Sequence, residues 1–539
     1  MWLLVLASII ASCMISLLLT PIVRWFCLRF GIIDKPDAVR KLQLKPVSLG
    51  GGMAVFVSVC LAFTIVLLAD RYLGNGVLGT LDIRWHILFY AAAALMLVGL
   101  ADDAFALRGR QKLLLQILVV VAVVGGGTVV QSVQFVGFRL ELGVFAFPLT
   151  VVWLLAAINA LNLIDGADGM ASTAGAIISL GLSILCVQMD AFIGSVVAAA
   201  LCGSLIGFLV FNRPPASIYL GDAGSMVIGL FVGVISIWGS VKGTTLLSFA
   251  PLLILSLPLF DSSIAILRRV LTGRSIYATD RAHLHHRLLD RFSHPMMLFV
   301  VAGLCGITSA ASIVSVLFNQ QWIAVLGVGI VFAILVVTRI FGNAELNMLV
   351  RRTANFGESL LVRSHHCDLH VHQKTVQLQG NRHWDLIWQS LVEFAIDREL
   401  SKIRLDVSIA WMQEGYHGSW ERSRLPEKSE QLCLKLPIFL GDRLVGRFEL
   451  IGDAKKPSVI GAFEQIHDRF LELKSQISRL IDTVELEVAG INPVDRHGDD
   501  HVLNSAASTL PTDDVIAEFR LVDNPHESPG SGASQPAFN

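Results

Sequence analysis

The chain has 539 residues, of which 54% are hydrophobic and only 16% are charged, and its formal net charge is −1. The mean hydropathy of +0.65 is far too high for a soluble chain of this length and indicates a membrane protein. The sequence pI of about 6.9 excludes the global basicity of a nucleic-acid-binding protein. The eight cysteines occur singly, without a CxxC pair, and so indicate neither a disulfide framework nor a zinc site.

Long apolar segments recur along the first 342 residues, and a membrane-spanning helix needs about 20 such residues. We predict about eleven spans. We interpret the first as a membrane span rather than a cleaved signal peptide, because no signal cleavage site follows it. The predicted spans are 1–20, 52–69, 85–101, 113–130, 145–160, 171–189, 191–211, 223–240, 244–267, 297–318 and 322–342.

Lysine and arginine are concentrated in alternate loops, which is the pattern of loops on the cytoplasmic side of a membrane. The loops after the first, third and ninth predicted spans hold clusters of basic residues, whereas the intervening loops hold few. The sequence therefore predicts that the N-terminus lies outside and that the chain after Phe341 is cytoplasmic.

The stretch Asn159–Gly169 is unusually polar for the end of an apolar segment. It contains Asn159, Asn162, Asp165 and Asp168, and the two carboxylates share one face if the segment is helical. Such hard oxygen ligands suit Mg²⁺ together with phosphate. The alternative is a solvated turn rich in Asn, Asp and Gly.

Two further acidic clusters fall on the same predicted side of the membrane. Asp102 and Asp103 end the third span, where adjacent carboxylates either act as a base or are merely solvated. Asp222 begins the eighth span, where it either belongs to an anion-binding helix terminus or is a simple cap. Asp261 near the end of the ninth span is a weaker candidate, since a helix-packing hydrogen bond explains it equally well.

A basic loop near the end of the apolar region contains Arg281, His283, His285 and His286. Histidine beside arginine can bind a pyrophosphate, although a basic surface patch has the same composition. Zinc is disfavoured because no thiol or carboxylate set with metal-site spacing accompanies the histidines. A transporter or flippase is disfavoured as well, because the outer halves of the spans hold few polar residues.

Taken together, these motifs resemble the bacterial polyprenyl-phosphate N-acetylhexosamine-1-phosphate transferases over residues 1–342. The His-x-His-His order is that of the GlcNAc-1-phosphate branch, whereas Gln43 and Ser48 replace the usual His and Pro of the family. The motifs that carry the resemblance are Asp34-Lys35-Pro36 with Gly50-Gly51-Gly52, Ala101-Asp102-Asp103 with Lys112 and Gln116, Asn159–Gly169, Gly221-Asp222-Ala223-Gly224-Ser225, and Asp280–Arg287.

The resemblance implies a reaction in which a phosphate oxygen of polyprenyl (undecaprenyl) phosphate attacks the β-phosphorus of a UDP-amino sugar such as UDP-GlcNAc, and UMP leaves. Mg²⁺, or Mn²⁺ in its place, neutralises the diphosphate. The implied setting is the bacterial inner membrane with a cytoplasmic active site that initiates a cell-envelope polysaccharide. No nucleic-acid partner is expected, a homodimer stays open, and another UDP-amino sugar is the alternative donor.

The resemblance also implies roles for individual residues. Asp222 is the expected principal metal ligand, helped by Asp103 or Asp168, and Asp102 is expected to contact or deprotonate the lipid phosphate. Asn162 and Asp165 are expected to hold the uridine or to order the site. The catalytic set is Asp102, Asp103, Asp165, Asp168 and His286; the substrate-binding set is Asn159, Asn162, Arg281, His283, His285 and Lys112.

The chain after Phe341 lies outside the resemblance. Its periodicity predicts a cytoplasmic α/β module over 343–489, with regulation or partner docking as its expected role. The predicted elements are a helix over 384–400, a strand over 403–411 and a hairpin over 436–451.

Other segments of this region carry weaker signals. The 3-4 repeat from Phe463 to Val484 favours packing on the module's own sheet over a dimer coiled coil. We interpret His365–His372 as a polar surface segment rather than a metal site, and 490–539 as a disordered tail.

Overall fold

The computed structural model describes residues 1–34, 47–73, 76–135, 138–239, 241–242, 246–248, 250–272, 283–342, 346, 371–379, 384–409, 414–422, 426–427, 430–440 and 443–462. The chain divides into two compact units, Met1–Arg351 and Arg352–Asn539. The domain boundaries after residues 342 and 489 stay predictions. The repeat from Phe463 to Val484, the tail 490–539 and the side chains of His365–His372 lie outside the described residues.

The first unit is mainly helical. Eight of its described helices are long and apolar enough to cross a membrane, which agrees with a multi-pass membrane protein, whereas the count of eleven spans stays a prediction. In chain order the helices are α1 (Trp2–Phe30), α2 (Gly51–Leu73), α3 (Ile83–Phe105), α4 (Gly109–Gly125), α5 (Ala146–Ile164), α6 (Met170–Gln188), α7 (Phe192–Asn212), α8 (Gly221–Trp238), α9 (Ala250–Leu253), α10 (Ser256–Thr272), α11 (Leu284–Leu289), α12 (His294–Leu317) and α13 (Gln321–Val337).

The ninth predicted span, 244–267, is wrong at its N-terminal end. Leu246–Ser248 forms a strand, and the helical part is divided into α9 and α10. Pro251 and Pro258 each lie in the first turn of one of these helices, where a missing amide hydrogen is tolerated best. Hydropathy alone could not show this division, because the segment is apolar throughout.

Two small sheets lie at opposite ends of α8. One contains β1 (Ile33–Asp34), β2 (Val47–Leu49) and β5 (Ile218–Tyr219) in the order β1-β2-β5, and β5 leads directly into α8. The other follows α8 and has the order β4-β3-β7-β6. Its strands are β3 (Ser132–Phe135), β4 (Phe138–Glu141), β6 (Val241–Lys242) and β7 (Leu246–Ser248).

Helix α8 is the centre of the first unit, because its side chains are buried from Ala223 to Ile237. Glycines allow α2 and α3 to approach its first turn closely. A Cβ at Gly52 would lie 2.2 Å from the amide nitrogen of Gly224, and one at Gly99 would lie 2.3 Å from the Cα of Ala223. The start of α8 therefore contacts the backbone of two neighbouring helices directly.

The second unit contains a five-stranded antiparallel sheet with the order β11-β12-β9-β10-β8. Its elements are β8 (Val371–Gln379), α14 (Trp384–Asp397), β9 (Lys402–Ile409), β10 (Glu414–Arg422), β11 (Gln431–Leu440) and β12 (Arg443–Asp453). Trp388 of α14 packs on the sheet, where a Cβ at Gly418 would lie 2.5 Å from its ring. Ile403, Leu405 and Val407 are buried beneath the helix.

The predicted helix, the hairpin and residues 403–409 of the predicted strand are confirmed, while residues 410 and 411 lie outside the described residues. Strands β8 and β10 were not predicted. The apolar pattern of β10 is weak because Gly418 separates its two inward-facing aromatic residues, Tyr416 and Trp420. Within the described residues of the second unit, every strand pair is antiparallel, so that this unit is closer to α+β than to the predicted α/β class.

Close packing of α1 on α7 generates a first prediction. A Cβ at Gly203 would lie 2.1 Å from the carbonyl oxygen of Ile9, so Gly203→Leu should force the two helices apart. We expect the thermal unfolding temperature of the detergent-solubilised protein to fall by several degrees, since overpacking costs about 1–3 kcal/mol. Gly303→Leu is the matched control, because a Cβ at Gly303 meets no atom within 4 Å. Equal unfolding temperatures for both variants would contradict the packing described.

Candidate active site

The side chain of Lys112, near the start of α4, lies among oxygen atoms from three other helices. Its Nζ is 2.9 Å from Asp102 Oδ2 of α3, 3.1 Å from Asn162 Oδ1 of α5 and 2.5 Å from Asp222 Oδ2 of α8. The lysine side chain is only 15% exposed, so these charged hydrogen bonds are largely shielded from water and are stronger than surface contacts. One ammonium group thus joins the ends of four helices.

Asn162 connects the same groups from α5. Its Nδ2 donates to Asp222 Oδ1 at 2.7 Å and to Ser225 Oγ at 2.9 Å, while its Oδ1 accepts from Lys112. Both oxygens of the Asp222 carboxylate are therefore engaged. The carboxylate lies in the first turn of α8, where the helix amides favour negative charge.

Asp103 approaches the same helix end from α3. Its Oδ1 accepts a hydrogen bond from the amide of Asp222 at 3.2 Å, whereas its Oδ2 is buried without a hydrogen-bond partner. Gly221 makes this approach feasible, because a Cβ there would lie 2.6 Å from Asp103 Oδ2 and the φ of 73° favours glycine. A buried carboxylate oxygen without a partner indicates a place for a cation.

Asp102 is held by the end of its own helix. Its Oδ1 accepts a hydrogen bond from the Leu107 amide at 2.8 Å, just after Ala106 ends α3 with a φ of 50°. This bond leaves Oδ2 directed at Lys112. The C-terminal cap of α3 therefore fixes the orientation of an acidic side chain in the site.

Asp165 and Asp168 lie in the turn between α5 and α6. The pKa of Asp165 is raised well above its usual range because its carboxyl group is removed from water and lies near the negative charges of Asp222 and Asp103. Asp168 has a different partner, since its Oδ2 accepts a hydrogen bond from the amide of Ala216 at 2.9 Å. Asp165 thus belongs to the charge cluster, whereas Asp168 attaches the turn to the segment before β5.

Asn159 lies one turn before Asn162 but does not contact Asp222 in the bonds described. Its Nδ2 donates to Gln116 Oε1 at 2.9 Å and to the Leu155 carbonyl at 2.8 Å. Gln116 is fully buried on α4, and its Nε2 is 3.1 Å from the sulfur of Met226 on α8. These contacts tie α4, α5 and α8 together beneath the charged groups, and a substrate-binding role for Asn159 stays a prediction.

Asp261 of α10 binds the segment that contains His283, His285 and His286, which we call the histidine loop. Its carboxylate is fully buried; Oδ1 accepts from the Leu284 amide at 2.8 Å, and Oδ2 is 3.3 Å from Nδ1 of His283. His283 precedes α11, so one carboxylate fixes both the first residue of that helix and its flanking side chain. Asp261 therefore makes a packing hydrogen bond, and that bond attaches it to the loop that carries the predicted histidines.

The imidazole of His285 lies directly on the polar stretch 159–169. A Cβ at Gly166 would be 2.2 Å from Cε1 of that ring, so only glycine allows the contact. The His285 ring is 4.1 Å from the ring of His286, and its buried Nδ1 has no partner. Burial, together with the nearby His286 and His283, lowers its pKa to about 3, so that His285 is neutral at physiological pH. Arg281 lies outside the described residues.

The residues present fit a hard divalent cation. Among the described residues, no three His, Cys, Asp or Glu side chains form a complete metal site by themselves. Mg²⁺ in phosphoryl-transfer sites usually takes only one or two carboxylates, with phosphate and water oxygens as its other ligands. Asp222 and the buried, unpartnered oxygen of Asp103 supply such a partial set.

The structure brings most of the predicted residues together but adds features that the sequence could not show. Ser225 and Gln116 belong to the recognised motifs, and their partners emerge only from the fold. The roles of Gly99 and of the Gly166–His285 contact had no sequence signal, because each depends on the close approach of segments distant in the chain.

Comparison with known proteins identifies one matching family model and several proteins of similar sequence. The family model of glycosyl transferase family 4 matches residues 85–240. A probable undecaprenyl-phosphate N-acetylglucosaminyl 1-phosphate transferase of Bacillus subtilis is 32% identical over 58% of this chain and 84% of its own length. A decaprenyl-phosphate N-acetylglucosaminephosphotransferase of Mycolicibacterium smegmatis is 31% identical over 61% of this chain and 86% of its own length. A phospho-N-acetylmuramoyl-pentapeptide-transferase of Streptococcus suis is 34% identical over 37% and 62% respectively.

The lowered pKa of His285 generates a second prediction. Below about pH 6.5 the unfolded chain binds a proton at this residue and the folded protein does not, so stability falls as the pH decreases toward about 3. We expect this residue to account for about 2 kcal/mol of lost stability by about pH 5. The unfolding temperature of His285→Gln should therefore fall less than that of the wild type between about pH 7.5 and pH 5. His294→Gln, which changes an exposed histidine, is the control, and parallel curves for all three proteins would contradict the prediction.

Proposed function

The chain belongs to glycosyl transferase family 4, in the branch of the polyprenyl-phosphate N-acetylglucosamine-1-phosphate transferases, and from this membership we propose its reaction. It transfers N-acetylhexosamine-1-phosphate, with GlcNAc-1-phosphate as the first candidate, from a UDP-sugar to polyprenyl phosphate. The observation that carries the proposal is the pair Asp102 and Asp222 bound to Lys112 at the ends of four helices, with the Asp103 carboxylate on the amide of Asp222. A site for two phosphate-bearing substrates and a cation needs this concentration of charge.

The reaction exchanges one phosphoanhydride bond for another. An oxygen of the polyprenyl phosphate forms a bond to the β-phosphorus of the UDP-sugar, and the bond from that phosphorus to the bridging oxygen breaks, so that UMP leaves with its electron pair. No proton has to be removed from an acceptor phosphate that is already doubly ionised, as it largely is at neutral pH. The protein therefore has to position and neutralise phosphates more than to act as a strong base.

The residues divide this work among them. Asp222 and Asp103 would hold Mg²⁺, with Mn²⁺ as the alternative, and the bound metal supplies charge neutralisation of the diphosphate. Asp102 and Asn162 orient Lys112 and Asp222 through the bonds described, and Asp165 adds a carboxyl group beside them.

The histidine loop lies beside this charged cluster. Because His285 is neutral and packed on Gly166, it can take part in substrate binding through a ring nitrogen rather than through a full positive charge. His286 lies next to it, and we assign both to the donor diphosphate and sugar.

The proposed site faces the cytoplasm of a bacterial inner membrane, where nucleotide sugars are made. The charge of the loops supports this orientation, since the loops after the third and ninth predicted spans, which follow Asp102-Asp103 and carry the histidines, are rich in Lys and Arg. The product would initiate a cell-envelope polysaccharide. Another UDP-amino sugar is the second candidate donor.

A direct assay tests the reaction class. Purified wild-type protein in detergent, given polyprenyl phosphate, Mg²⁺ and radiolabelled UDP-GlcNAc, should produce butanol-extractable label and release UMP. Asp222→Asn, which keeps the shape but removes the charge, should lose at least about 100-fold in rate because it removes the expected principal metal ligand. EDTA should abolish labelling of the wild type.

Asp82→Asn is the matched control, since Asp82 is paired with Arg84 on the exposed start of α3. Its rate should stay within about twofold of the wild type, as most surface charges contribute little. Label from a different UDP-sugar would select the second donor. A folded protein that yields no lipid product from any UDP-sugar would contradict the proposal, and release of UDP instead of UMP would contradict the bond assignment.

The anchoring contact of Asp261 generates a further prediction. Asp261→Ala leaves the Leu284 amide and His283 without their buried acceptor, so the histidine loop should lose its fixed position. Because Asp261 acts through His283, we expect a loss of about 10- to 100-fold in kcat/KM, comparable to that of other supporting residues. Ser263→Ala, an exposed neighbour on α10, is the control. An unchanged kcat/KM in a folded Asp261→Ala protein would exclude a positioning role.

A further inference from the structure

The Lys112 ammonium is bound to Asp222, the residue that we expect to be the principal metal ligand. Oxygen atoms from Asp102, Asn162 and Asp222 surround its Nζ at distances from 2.5 to 3.1 Å. Two carboxylates and an amide oxygen are also the ligands that hard divalent cations select. The ammonium and a divalent cation would therefore compete for Asp222.

Asp222 cannot serve both cations in the geometry described. Its Oδ2 is 2.5 Å from the ammonium nitrogen, and its Oδ1 accepts the Asn162 amide at 2.7 Å. A divalent cation bound to this carboxylate would lie close to the lysine charge, in surroundings largely shielded from water, where like charges repel strongly. Binding of the metal therefore requires the ammonium to move.

Lys112 is well suited to move. A lysine carries its charge on a flexible four-carbon chain, in contrast to the rigid guanidinium of arginine. The side chain retains 15% of its exposure, so it has a path toward solvent. Asp102 and Asn162 keep other partners if the ammonium leaves, namely the Leu107 amide for Asp102 and Ser225 for Asn162.

We propose that Lys112 is an internal counter-ion, which holds Asp102, Asn162 and Asp222 in position until a divalent cation displaces it. The identity of that cation, Mg²⁺, rests on the proposed function, while the metal-free state and the exchange go beyond it. Without metal, the ammonium compensates carboxylates that would otherwise repel each other and separate α3 from α8. With metal, the lysine is released from these carboxylates.

Amine footprinting of the wild-type protein tests the exchange without any substitution. The full-length protein in detergent is methylated reductively with EDTA or with saturating Mg²⁺, and the labelled lysines are identified by mass spectrometry. Methylation of Lys112 should increase several-fold with Mg²⁺, because its nitrogen loses three oxygen partners. Lys402, which is 2.9 Å from Glu421 in the second unit, is the internal control and should not change. Equal protection of Lys112 in both conditions would overturn the proposal.

A variant provides a second readout that is independent of activity. Lys112→Met should unfold at a lower temperature without metal, and the Mg²⁺ concentration that gives half of its thermal stabilisation should be about tenfold lower than in the wild type, since the competing cation is gone. Lys402→Met is the matched control with wild-type Mg²⁺ dependence. An unchanged or higher half-saturating concentration in Lys112→Met would contradict exchange.

The outcomes separate this inference from the proposed function. Lipid labelling by a wild-type protein whose Lys112 stays protected in Mg²⁺ would overturn the counter-ion and leave the reaction standing. Mg²⁺-dependent release of Lys112 in a protein that labels no lipid from any UDP-sugar would support the counter-ion and overturn the reaction.

Discussion

Repulsion among carboxylates at the ends of α3, α5 and α8 is the constraint on which the rest of the first unit depends. Asp102, Asp103, Asp165 and Asp222 approach one another in a largely buried region, where each uncompensated charge is costly. Hydrogen bonds from Lys112, Asn162 and backbone amides offset part of that cost. The arrangement persists because four helices are tied to it, and it leaves one carboxylate oxygen available to a cation.

The charged side chains reach one another because the backbones of neighbouring helices approach closely. Gly52 and Gly99 place α2 and α3 against the first turn of α8, and Gly221 lets the Asp103 carboxylate approach the Asp222 amide. A Cβ at any of these positions would lie 2.2–2.6 Å from its nearest neighbour and would force that neighbour away. Small residues at helix interfaces are common in membranes, where close packing replaces the hydrophobic effect as the source of association. Here the same packing also determines the geometry of the charged groups.

Residue types and their order along the chain were sufficient to predict a polytopic helical membrane protein, and the family resemblance implied that Asp103, Asp222, Lys112 and Asn162 belong to one site. Residue types did not predict the conformation of the apolar segment 244–267, because apolar composition does not distinguish a strand from a helix there. The strand Leu246–Ser248 and the division of α9 from α10 follow from local backbone chemistry inside one apolar segment.

Contacts between distant segments could not be predicted from the sequence either. The packing of His285 on Gly166 joins segments more than a hundred residues apart. The partners of Asn159 and Asp168 depend on side-chain direction, which residue spacing along a chain does not specify.

The residues that immediately precede α2 are attached to a distant segment in a similar way. Ser48 of β2 pairs with Ile218 of β5, and the Gly52 amide donates to the Leu220 carbonyl at 2.9 Å, two residues before Asp222. Serine at position 48 has an amide hydrogen that the usual proline of the family lacks, so it can take part in the strand ladder. A displacement of β2 would therefore be transmitted through the backbone to the first turn of α8, which carries Asp222.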